Sequence, residues 1–98
     1  MDLDRALLTE AVVGHQAKEF LESDVGQALL ARAELEASDA MAELKSIAPD
    51  RVEDIRTLQN RIWRAENFER WLVDLISDGQ QATTQLQQQQ LDQQEENL

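Results

Sequence analysis

His15 is the only histidine and there is no cysteine, so the groups that most often serve as nucleophile, general base or metal ligand near neutral pH are almost missing. Neither a His pair for a metal ion nor a Cys–His couple can be assembled within one chain. Glu19 follows His15 by one helical turn, and an ordinary i,i+4 ion pair is the expected use of that imidazole. Carboxylates are numerous, but Glu34, Glu36, Asp39 and Glu43 are spaced as a solvated helix surface. No Glu-x-x-His ligand pair exists for a di-metal centre, and no Asp-rich loop with a central glycine offers a calcium site. Gly14, Gly26 and Gly79 are too far apart for a phosphate-cradling loop. Acid–base work would fall to an Asp or Glu raised in pKa by burial, yet no carboxylate lies on the main apolar seams. The sequence therefore predicts no catalytic residue, no metal or cofactor site, and a protein that is not an enzyme.

The remaining chemistry is that of recognition. On a helical wheel Trp63 points about 100° away from Ile62, onto the side that carries Arg56, Gln59, Asn67 and Arg70. A tryptophan flanked by arginine on a polar face has the composition of an interface hot spot. The competing reading is that the first helix folds over the indole and covers it. Trp71, beside Leu72, reads as core. Arg51, Arg56, Arg61, Arg64 and Arg70 gather in this segment, but Glu53, Glu66, Glu69 and Asp74 are interleaved with them. Local ion pairs explain that pattern better than a nucleic-acid stripe does.

The elements that position these residues can be read by period. Leu30, Ala33, Ala37, Ala40, Leu44 and Ile47 step by three and four before Pro49, and Ile55, Leu58, Ile62 and Ala65 do so after it. Such paired stripes predict two helices folded against each other. Ser23 is placed to cap a helix over 24–47, which also carries a second stripe of Ala28, Ala31, Leu35 and Ala42. Ala48-Pro49-Asp50 forms the turn, with Asp50 and Glu53 in a capping-box pattern, and the next helix covers 50–77. Its stripe shifts after Ala65 through Phe68, Leu72 and Leu75, and Asp78-Gly79 supplies a stop with Gly79 as a left-handed cap. An earlier helix over 3–22 places Leu3, Leu7, Gly14, Ala17 and Leu21 on one face, while Leu8 and Val12 on the other side need a second cover. At Gly14 the helix either breaks or meets a neighbouring backbone. Nine of the nineteen residues from 80 to 98 are glutamine, with Leu86 and Leu91 five apart, so this stretch reads as a low-complexity tail that is flexible or ordered by a partner. The expected fold is all-α: an antiparallel helical hairpin of two long helices with a shorter N-terminal helix, forming a single domain over 1–79, and a Gln-rich C-terminal tail.

Ninety-eight residues allow only a narrow core or one shared with a partner, which makes a homo-oligomer an expectation from the start. The formal charge of −11 is spread along the whole chain and disfavours binding to nucleic-acid phosphates or anionic lipid. The lack of cysteine fits a reducing compartment. Asp2 and Asp4 open the chain where a signal peptide would be basic, and the longest apolar run, Ala28 to Ala31, is too short to span a membrane.

The stretch from Glu19 to Ile76 resembles small helical proteins encoded in tailed-bacteriophage genomes. The resemblance is carried by Phe20-Leu21, Gly26-Gln27, Arg32-Ala33-Glu34, the run Ile55-Arg56-x-Leu58-Gln59-Asn60-x-Ile62, and Trp71-Leu72. These are packing residues, so the resemblance transfers no functional residue. It implies a phage or prophage product made in the host cytoplasm, acting in particle assembly or as a virion component. The leading expectation is a non-enzymatic structural or assembly protein that self-associates or docks on a larger phage structural protein through the Trp63 face. The alternative is an acidic inhibitor whose carboxylates occupy the basic groove of a host nucleic-acid-binding protein.

Overall fold

Ser23 interrupts an otherwise continuous helical pattern, and its backbone is extended at φ −73° and ψ 160°. Its hydroxyl accepts a hydrogen bond from the Gly26 amide at 3.0 Å, and its carbonyl accepts from the Gln27 amide at 2.9 Å. This is the expected N-cap, which satisfies a backbone donor that the first helical turn leaves without a partner. The Gln27 side-chain amide reaches back to donate to the Leu21 carbonyl at 2.5 Å, so one carbonyl at the end of the preceding helix is satisfied as well. The computed structural model describes residues 2–96, and within them lie three α-helices and no strand: α1 Asp2–Glu22, α2 Asp24–Ser46 and α3 Val52–Glu96.

Pro49 sets the turn between α2 and α3. Ile47 leaves the helix at ψ 143°, and the Arg51 amide donates to the Ala48 carbonyl at 3.1 Å, which closes a four-residue turn with Pro49 at its second position. That turn takes up Asp50, so the expected capping box with Glu53 does not form. The helix starts two residues later, with the Ile55 amide donating to the Arg51 carbonyl at 3.0 Å. Arg51 pairs with Asp54, and Glu53 faces Arg56 at 3.6 Å.

The contacts divide the chain into two compact units, both of which draw on α3. One, Leu21–Trp71, holds α2 and the first part of α3. Ala37, Ala40, Leu58 and Ala65 are buried along its seam, with Leu30, Ala33, Leu44, Ile47, Ile55 and Ile62 half-buried beside them. The two stripes read from the sequence meet here, in packing consistent with the expected hairpin. Alanine at the closest positions lets the helices approach, and no large side chain is fully buried among the described residues. The narrow core follows from that residue choice.

The other unit joins α1 up to Phe20 with α3 from Leu72 onward. Leu7, Gly14 and Ala17 are buried on α1, and Gly79 and Ala82 on α3. Gly14 meets Gly79: a Cβ built on Gly14 would stand 2.6 Å from the Gly79 Cα and 2.7 Å from the Leu75 carbonyl oxygen. Of the two expectations at Gly14, close passage of a neighbouring backbone is the one observed, and α1 runs through without a break. Leu3 is exposed instead of buried, and Leu8 and Val12 have no cover.

The stop expected at Asp78-Gly79 is absent. No glycine among the described residues has a positive φ, and α3 continues to Glu96. Residues 80–96 are therefore helical where a low-complexity tail was expected; Asn97 and Leu98 lie outside the described residues. Glutamine and leucine are good helix formers, and no proline follows Gly79. The stripe moves from Leu72 to Ile76, Gly79, Ala82 and Leu86, at helical spacing, while Leu75 and Leu91 face outward. Leu86 and Leu91, five apart, do not mark that face, because its closest positions are glycine and alanine.

Candidate partner interface

Opposite the Leu58–Ala65 seam, α3 turns a different set of residues outward. A helix places residues i, i+4 and i+8 on neighbouring turns of one side, and here those positions are Trp63, Asn67 and Trp71. Trp63 is 60% exposed and Trp71 is 59% exposed. Trp63 is thus largely exposed on this side of the Leu21–Trp71 unit. Trp71 is not core: it adjoins Leu72 in sequence but sits about 100° round the helix from it.

Asn67 lies on this side as the sequence indicated, but only 8% of it is exposed. Its Nδ2 donates to the Trp63 carbonyl at 2.9 Å, so the amide is engaged with the backbone of the turn that carries Trp63. Arg56, Gln59 and Arg70 are exposed, as a contact surface requires. Arg64, which the wheel places beside Trp71, is exposed too and extends the same side.

Arginines gather on this face. Arg56, Arg64 and Arg70 are outward, whereas Glu66 and Glu69 turn toward α2, where they line a groove with Ala37, Met41 and Lys45. Between Ile55 and Trp71 the outward side therefore presents two indoles and three guanidinium groups, one of which, Arg56, faces Glu53 one turn earlier at 3.6 Å. An exposed guanidinium beside an indole can bind both carboxylates and apolar surface, the first by forked hydrogen bonds and the second by the ring face.

Elsewhere the side chains are ordinary surface. His15 Nε2 lies 2.8 Å from Glu19 Oε1, the pair expected from their spacing, and both are well exposed. Near the Gly14–Gly79 contact a groove carries Lys18, Gln80, Thr83 and Thr84, but the two threonine hydroxyls donate to the carbonyls of Gly79 and Gln80 at 2.9 and 3.0 Å. On α2 the second stripe stays uncovered, with Leu35 61% exposed and Ala28, Ala31 and Ala42 around it. Among the described residues no three His, Cys, Asp or Glu side chains are grouped to hold a metal ion, and no helix is long and apolar enough to cross a membrane. Comparison with protein-family models, curated proteins and solved structures gives no match for the chain.

Proposed function

We propose that the protein is a non-enzymatic assembly component that docks through the outward side of α3. The observation that carries this reading is the pair of exposed indoles, Trp63 and Trp71, one turn either side of Asn67, with Arg56, Arg64 and Arg70 exposed on the same side of the helix. Large aromatic rings left in water are energetically unfavourable for a free subunit, and they are the residues that dominate binding energy once a partner desolvates them. Resemblance to tailed-phage helical proteins supports particle assembly, or a place in the virion, as the setting.

Trp63 and Trp71 are the only tryptophans, so their fluorescence reports on this face directly. Emission characteristic of water-exposed indole is expected from the dilute subunit, with a shift to shorter wavelength when it enters assemblies. Trp63→Ala should weaken that association by roughly 2 kcal/mol, about thirtyfold in the dissociation constant, with little change in melting temperature. Unshifted emission in the assembled state would rule out this face as the docking surface.

A further inference from the structure

The exposed faces of α2 and α3 in the Leu21–Trp71 unit are complementary surfaces. On α2, facing away from the seam, an open hollow of about 750 Å³ is lined by Ala28, Leu29, Ala31 and Leu35. Its rim carries Glu36 and Asp39, with Arg32 as the one cation beside it. The outward side of α3 carries the reverse: bulky rings where α2 has small side chains, and Arg56, Arg64 and Arg70 where α2 has carboxylates. Both surfaces lie opposite the same seam, so one chain presents the two halves of a contact in directions from which it cannot close on itself.

We propose, on the reading that α3 is the docking surface, that its partner is the α2 hollow of a second copy of this chain. The indoles are eight residues apart, about 12 Å along the helix. That spacing lets them straddle Leu35 of the next copy, with one ring over Ala31 and the other beside Asp39. Arg56 and Arg70 then approach the carboxylates of that α2 face. A two-fold pairing of α3 with α3 would instead bring like guanidinium groups together, which opposes it. The contact is heterologous, so each bound copy leaves one of each surface free and the assembly stays open to growth.

Sedimentation velocity on the full-length protein, over a concentration series at low salt, tests the arrangement. The wild type should show species growing beyond a dimer. Trp63→Ala and Leu35→Glu should each abolish growth, weakening association at least thirtyfold while circular dichroism stays that of the wild type, since both side chains are exposed. The double substitution Arg56→Glu with Arg70→Glu should do the same through charge alone. A mixture of Trp63→Ala with Leu35→Glu should form a dimer and stop there, because only one intact face of each kind remains. A wild type that stays monomeric overturns the inference. So does a dimer that Trp63→Ala breaks and Leu35→Glu leaves intact, an outcome in which α3 docking survives and the α2 hollow is excluded. Association unaffected by Trp63→Ala would remove both readings.

Discussion

Glycine has two uses in a helical protein, and the residue scale shows which one applies. Gly79 follows an aspartate at the end of a long apolar stripe, the local pattern of a helix stop, and nothing in the flanking sequence distinguishes it from one. The decisive fact is distant in sequence: Gly14 lies against it with no room for a Cβ on either side. In an exposed helix Gly→Ala gains about 1 kcal/mol. Here Gly14→Ala should lose about 1 to 3 kcal/mol, because the new methyl group meets the Gly79 Cα and the Leu75 carbonyl, backbone atoms that move only if the helices part. A thermal melt reads the sign, and a melting temperature above the wild type would exclude the close contact. Trp63 was the more legible residue: its angle from Ile62 already put it off the seam, and the structure leaves it exposed. Trp71 was not, because adjacency to Leu72 suggested core where the wheel angle did not.

At the scale of elements, signals confined to a few residues were readable and those requiring a partner helix were not. Ser23 and Pro49 act on their own backbone neighbours, so both ends of α2 fall within a residue of expectation. The register of α3 beyond Ala65 depends on what α1 offers, and small residues at Gly14 and Ala17 draw in Ile76, Gly79 and Ala82 in place of Leu75. Burial ranks the consequences of mutation along the seam. Leu58 is the most buried large side chain there, and Leu58→Asp should cost several kcal/mol against a total of roughly 5 to 15, enough to abolish the cooperative melt of the hairpin. Leu44→Asp and Ile62→Asp, at half-buried positions, should destabilise less. Ser23→Ala should cost about 1 kcal/mol through the lost cap. Equal melting of the Leu58→Asp and wild-type proteins by circular dichroism would exclude the seam.

For the whole molecule, α3 is the shared element. Its first part completes the core of α2 and its second part completes that of α1, so each unit depends on a different stretch of one helix. The charge of −11 gives no preference between the units, and the apolar partner surface decides. An isolated helix of about twenty residues has little stability of its own in water, so α1 relies on the face of α3 that it packs against. By composition alone residues 80–98 are a tail dispensable for folding, since glutamine offers little to bury. The structure predicts otherwise, because Ala82 and Leu86 belong to the face that α1 packs on. Deleting 80–98 should therefore remove more helical signal than the deleted residues carry. In hydrogen exchange the amides of α1 should lose their protection, while those of α2 and of α3 between Val52 and Trp71 keep theirs. If α1 stayed protected in the truncated chain, the eight residues from Leu72 to Gly79 would have to hold it alone, and the stretch beyond Gly79 would have no part in the core.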